Sequence, residues 1–253
     1  MKRNSVIFIL YCALNLFLAP VYADPTNSTW NYDSNGTNWK NIGECSTKTY
    51  PQAPLNVTND NPTLSRSWLP YHWSFLPTYK SGNTTFAGFN NWVYMLQNNK
   101  TSSWGGFYAS EPVAYSNDRI VYWDSYEIRF HYPAEHLING TRYDLEMQIF
   151  GWDFYTRHFV CTQGVAALSI FFKIDDLAPT NTFFDWQADA TAGNPVNIDL
   201  SLVISKVFGM QNSLTGYRGT DTMPDCSYVT CWYITESPQV INTSQYNFFV
   251  YPG

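Results

Sequence analysis

Two stretches of this chain have the hydrophobic and polar spacing of paired β-strands. Residues 122–131 (YWDSYEIRFH) are aromatic and β-branched, and residues 142–150 (RYDLEMQIF) alternate apolar with polar positions. Asn139-Gly140 lies between them and is a turn dipeptide. Residues 165–173 (VAALSIFFK) form a continuous apolar run that ends in a charge, the pattern of a strand buried on both faces. Residues 229–235 (VTCWYIT) predict another strand. Residues 196–208 (VNIDLSLVISKVF) do not choose between strand and helix, and a short helix is expected near residues 200–205. Strand-like signals begin at Val113; residues 24–70, rich in Asn, Ser, Thr and Pro with isolated Trp, predict packed loop. No internal repeat or low-complexity linker divides the chain. The expected architecture is mostly β: one domain over residues 24–253, built on a large twisted central sheet with few short helices.

Composition narrows the class. Of 253 residues, 18% are aromatic and only 13% charged, which excludes disorder by composition. The net charge of -6 and the lack of any basic cluster beyond Lys2-Arg3 argue against nucleic acid as a partner. Residues 1–23 carry that basic pair, an apolar run over residues 6–19 and small residues at Val21-Tyr22-Ala23, so they predict a cleaved signal peptide. Nothing later reaches the roughly 18 apolar residues of a membrane span. Cys12 leaves with the signal; Cys45, Cys161, Cys226 and Cys231 suggest two disulfides with three possible pairings. Seven glycosylation sequons fall at Asn27, Asn35, Asn56, Asn83, Asn99, Asn139 and Asn242. Together these features predict a secreted, extracellular glycoprotein.

The chain has four histidines, His72, His131, His136 and His158, and each taken singly reads as a structural or exposed imidazole. The hairpin changes that for the cleft region. Arg129 and His131 share one face of the first strand, while Glu146, Gln148 and Phe150 share one face of the second. If those faces coincide, Arg129, His131, Glu146 and Gln148 converge on one patch of sheet.

At this point the sequence resembles the α-type carbonic anhydrases. The family's zinc strands read roughly Q-F-H-F-H-x-P-S-E-H, a turn with N-G, then Y-x-x-E-x-H; this chain has EIRFHYPAEH (residues 127–136) and LINGTRYDLEMQ (residues 137–148). The family's Q-S-P-I-N is matched by QAPLN (residues 52–56), and its threonine-proline loop by YRGTDTMPDCSYVTCW (residues 217–232). Its L-A-V-L-G-I-F strand is matched by VAALSIF (residues 165–171). The resemblance spans roughly residues 30–249 and implies the family's fold.

It does not imply the family's chemistry. The three zinc imidazoles of the family fall on Arg129, His131 and Gln148, so two of three are replaced. Arg stays protonated and cannot ligate, and an amide oxygen is a weak zinc ligand beside imidazole. Glu135 and Thr222 match the pair that orients the zinc-bound hydroxide, and His136 and Glu146 match buried support residues. The small residues lining the substrate pocket correspond to Phe150, Ala167 and Thr230, while Trp232 keeps its place and Asp221 stands at the mouth. No histidine falls near Asn90-Asn91-Trp92, where the family's proton shuttle would lie. A buried Arg129 needs a carboxylate, and Glu146, then Glu135, is the expected partner.

The resemblance also implies a disulfide between Cys45 and Cys226, leaving Cys161 and Cys231 as a second pair. The family's further C-terminal segment, with an N-x-R-x-x-Q-P-like motif, is not matched; either a trimmed domain or completion by a neighbouring chain is expected. The reading that follows is a secreted carbonic-anhydrase-like pseudoenzyme with no catalytic residue, metal or cofactor, acting as a structural or binding module through protein partners or self-assembly. Two alternatives stay open: a zinc carbonate dehydratase with an altered site at His131, Glu146 and Gln148, and a small-anion or carbohydrate binder using the cleft.

Overall fold

A computed structural model of the chain describes residues 39, 42–43, 45, 53–58, 65–66, 75–77, 79–90, 93–98, 104–110, 120–153, 164–190, 196–208, 214–224, 226 and 229–251. The strands are β1 (Asn56–Val57), β2 (Ser65–Arg66), β3 (Phe75–Pro77), β4 (Ser81–Asn90), β5 (Val93–Asn98), β6 (Gly106–Ser110), β7 (Ile120–His131), β8 (Leu137–Ile138), β9 (Leu145–Trp152), β10 (Val165–Ile174), β11 (Asn197–Asp199), β12 (Leu214–Thr220), β13 (Val229–Thr235) and β14 (Gln239–Ile241). Among the described residues the helices named are short: a 3-10 helix (Thr182–Ala188), α1 (Leu200–Phe208) and α2 (Thr243–Val250). The protein is mostly β, as its patterning predicts.

Twelve strands form one mixed sheet along the path β11-β4-β5-β7-β9-β10-β13-β12-β2, with β6 beside β7, β3 beside β6 and β14 beside β10. Pairing is antiparallel from β4 to β10, and β10 then takes β13 and β14 in parallel. Such a strand has neighbours on both sides and packing on both faces, which is why residues 165–172 read as an unbroken apolar run and are all buried.

The strands begin earlier than residue 113, where the sequence pattern first suggests them. In β4 the sequence SGNTTFAGFN has two glycines and a register shift between Phe86 and Gly88, so no period-two signal survives. The ambiguous 196–208 segment resolves into both alternatives, a three-residue strand followed directly by α1. The helix starts where Asp199 accepts hydrogen bonds from the Ser201 backbone and hydroxyl.

The main core lies on one face of the sheet. Val121, Trp123, Ile128 and Phe130 of β7 point into it, and the helices cover it. Helix α2 is fixed by a capping box between Asn242 and Gln245, and it brings Phe249 to 4.7 Å from Phe130, ring to ring. A buried phenylalanine of this kind contributes roughly 2–3 kcal/mol. The opposite face carries a second apolar cluster with Phe150, Ala167, Tyr217 and Trp232. A register shift between Ser125 and Glu127 makes Tyr126 the extra residue of β7. Trp123 and Ser125 lie on the core side before it, so Glu127, Arg129 and His131 come to the second face after it. That second face is the floor of the cleft.

Candidate functional site

The two strands meet as the hairpin pattern requires: Arg129 is opposite Gln148 and His131 opposite Glu146. All four side chains are buried, with at most 1% exposure. Burying four polar or charged groups together is costly unless each is satisfied, so their partners define the site.

Glu146 is the most heavily hydrogen-bonded. Its Oε2 accepts from the backbone N–H of Glu135 (2.8 Å) and of His136 (2.9 Å). Its Oε1 accepts from His136 Nδ1 (2.7 Å), Ser169 Oγ (2.8 Å) and Gln148 Nε2 (2.9 Å). Burial pushes this carboxyl up, but the His136 charge and hydrogen bond outweigh it and hold the group below the usual carboxylate range. The other ring nitrogen of His136 lies 2.6 Å from Tyr217 Oη, and burial drives that phenol well above its ordinary value.

Arg129 does not join this group. Its Nε donates to Glu127 Oε1 at 2.5 Å and its Nη1 to Asp221 Oδ1 at 2.7 Å, and the side chain has no exposure. The expected partners, Glu146 and Glu135, are replaced by Glu127 and Asp221. The reason is occupancy: Glu146 already accepts five hydrogen bonds, whereas Glu127 lies two residues from Arg129 on the same face of β7. Burial raises the Glu127 carboxyl, and the Arg129 charge opposes that rise. Asp221 also accepts from the Met223 backbone, so the pair ties β7 to the loop after β12. The guanidinium lies 4.0 Å over the ring of Phe150.

Gln148 donates to Glu135 as well as Glu146, and Glu135 lies 3.4 Å from His131 Nε2. Burial is the main cause that lowers the His131 imidazole to about 3, so it is neutral near pH 7. Among the described residues, the buried hydroxyls of Thr222 and Thr230 have no hydrogen-bond partner, so no bond joins Thr222 to Glu135. Phe150 and Ala167 are opposite one another, Ala167 is opposite Trp232, and the Phe150 and Trp232 rings meet edge-on at 5.7 Å. All three side chains are fully buried. Sequence reasoning missed Glu127, although period-two spacing from Arg129 pointed to it, and it missed Tyr217, which only tertiary packing brings to His136.

Cys45 and Cys226 are disulfide-bonded, with Cα atoms 4.8 Å apart. Cys231 is also in a disulfide, and Cys161 lies outside the described residues. Residues 1–23, His72, Asn91, Trp92, His158, Asn27, Asn35 and Asn99 lie outside them too. Asn56, Asn83 and Asn139 are exposed, whereas Asn242 is half-buried as the cap of α2. Among the described residues no helix is long and apolar enough to cross a membrane.

A mixed sheet of this topology with a polar cleft at its centre defines a carbonic-anhydrase-type fold. The model of the eukaryotic-type carbonic anhydrases matches residues 34–250, and the chain belongs to that family. It is 23% identical over 248 residues to a carbonic anhydrase of Dunaliella salina, and 22% identical over 206 residues to alpha carbonic anhydrase 4 of Arabidopsis thaliana. Those alignments cover 90% and 79% of this chain, but only 41% and 66% of the relatives' own lengths. Among solved structures, carbonic anhydrase Cah3 of Chlamydomonas reinhardtii superposes with a TM-score of 0.60 at 19% identity, covering 88% of this chain and 90% of that one. Dioscorin, solved in complex with ascorbate, superposes at 0.58 with 18% identity, covering 86% and 85%.

Proposed function

We propose that this chain is a secreted, glycosylated carbonic-anhydrase-like protein without zinc catalysis, working as a structural or binding module outside the cell. The observation that carries the reading is Arg129, held between Glu127 and Asp221. A fixed positive charge at the first ligand position repels a dication and offers it no lone pair. The third position, Gln148, turns its amide N–H groups to Glu135 and Glu146 and is engaged as a donor. The donor set therefore does not fit zinc, and a metal-bound hydroxide has no place in the chemistry of this cleft. The same contacts weigh against an altered site at His131, Glu146 and Gln148, because the Glu146 oxygens are already filled. An anion in the cleft is disfavoured as well, since Glu127 and Asp221 already pair with Arg129 and the neighbouring cluster adds the carboxylates of Glu135 and Glu146. The apolar start of the sequence, the sequons and the Cys45–Cys226 disulfide support an extracellular address.

Elemental analysis of the purified chain together with a carbon dioxide hydration assay tests the proposal. The expected result is far less than one zinc per chain and no hydration above background. One tightly held zinc per chain overturns it. The double variant Arg129→His with Gln148→His should gain weak zinc binding without hydration, because Phe150 still fills the pocket.

A further inference from the structure

The hydrogen bonds of Glu146 extend one group further. Among the described residues the Tyr217 hydroxyl has one hydrogen-bond partner, His136 Nε2 at 2.6 Å. The phenol hydrogen therefore bonds to that nitrogen, and Nδ1 carries the N–H that donates to Glu146 Oε1 at 2.7 Å. Phenol, imidazole and carboxylate form one proton path, and all three side chains are fully buried.

The path lies against a run of rings. The Trp232 indole stacks on Tyr217, with centroids 6.2 Å apart and planes at 13°, and is 4.8 Å from the His136 ring. Phe150 is 5.7 Å from Trp232 and 6.4 Å from Tyr126, and Tyr126 is 5.1 Å from Trp152. Trp232 is fully buried, whereas Tyr126 and Trp152 are half-buried, so the run joins the buried phenol to the surface.

We infer that Tyr217 is a redox-active tyrosine, oxidised by one electron along this run of rings while its proton moves to His136. The inference goes beyond the binding-module reading and is independent of it. The oxidant is an oxygen-centred radical that meets the half-buried Trp152. The electron leaves Tyr217 through Trp232 and passes Phe150 to Tyr126 and Trp152. The O–H bond of Tyr217 breaks and an N–H bond forms at Nε2, so the phenol becomes a neutral phenoxyl radical and the imidazole an imidazolium. The oxidant is reduced to its anion, which takes a proton from water. Burial drives the Tyr217 phenol well above its ordinary value, so it does not ionise beforehand. An oxidised phenol that kept its proton would be a buried cation without a partner, which is costly. Moving the proton across the 2.6 Å bond avoids both, and the Glu146 carboxylate is already in place to pair with the imidazolium.

The test is flash oxidation of the full chain by photogenerated ruthenium(III) tris(bipyridine), read by absorption and electron paramagnetic resonance. A phenoxyl radical should persist after those on exposed tyrosines have coupled and decayed. Its g-tensor should carry the shift of an oxygen that accepts a hydrogen bond, because Nε2–H now donates to it. Tyr217→Phe keeps the ring and its stacking and should lose the persistent signal, with the fold intact by circular dichroism. The double variant Tyr126→Phe with Trp152→Phe leaves the proton path untouched at half-buried positions and should lower the radical yield. No persistent radical, a persistent radical undiminished in Tyr217→Phe, an unshifted g-tensor, or an unchanged yield in the double variant each overturns the inference.

Discussion

Two polar clusters lie side by side on the cleft floor and meet the cost of burial in different ways. Around Glu146, one carboxylate is surrounded by donors: two backbone N–H groups, an imidazole, a hydroxyl and an amide. Around Arg129, one cation is held between two carboxylates drawn from β7 and from the loop after β12. The first arrangement ties β9 and β10 to residues 135–136, which follow β7. The second fixes a permanent charge within the same floor. The two clusters thus meet one cost by different chemistry, gathered hydrogen-bond donors in one and opposite charge in the other.

Breaking the second cluster should have the larger effect. Arg129→Met leaves Glu127 and Asp221 buried without a counter-charge, and a loss of about 3–5 kcal/mol in urea-unfolding stability is expected. Replacing all three residues, as Glu127→Leu, Arg129→Met and Asp221→Leu, should recover most of that loss. If the triple variant is no more stable than the single one, the ion group contributes more than mutual neutralisation.

The first cluster should respond less. Glu146→Gln keeps the shape but turns an N–H₂ group toward donors, and about 2–3 kcal/mol should be lost in the same measurement. A larger loss than for Arg129→Met would reverse the ranking of the two clusters.

A pH dependence is spread over several pH units, so its effect per unit is the smallest. His131 is held neutral in the fold, its pKa lowered from 6.5 to about 3. Below pH 6.5 the unfolded chain therefore takes up a proton that the folded chain refuses. Stability falls as pH drops from 6.5 towards about 3, at up to about 1.4 kcal/mol per pH unit from this group. His131→Gln should flatten that slope in denaturation curves taken across the window. An unchanged slope between pH 6.5 and 4.5 would remove His131 as its source, because Glu146, held below its ordinary value of 4.5, adds acid sensitivity only below that pH.

The site's framework was legible because it rests on period-two geometry: Arg129 and Gln148 are spaced from one turn, and the register puts them opposite each other. The ion pairing was only half legible. Glu127 is two residues from Arg129 and could have been chosen from spacing alone, but the many donors on Glu146 could not be counted without the backbone of residues 135 and 136. Asp221 arrives from a distant loop, and the resemblance marks it only as a residue at the pocket mouth. The fold was legible where strands are long and apolar, as in β10. It was not legible in β4, where glycine, asparagine and a bulge erase the alternation.

The order of the sheet also has a consequence for how the chain assembles. Strands β7, β9 and β10 pair between near neighbours in sequence, so this meander can form early. The parallel partner β13 is far along the chain from β10; Thr235 reaches back 66 positions to the Ser169 carbonyl. Closing so long a loop is slow, and the loop that carries Asp221 hangs from β12, which pairs only with β13 and β2 on the path of the sheet. The expected order puts Arg129 in place before its second carboxylate arrives, and φ-values high in β7 and β9 but near zero in β12 would show it. On that order the half-made site has one acid for one base until β12 and β13 dock, and the Cys45–Cys226 bond, 181 residues apart in sequence, joins the early and late parts of the chain.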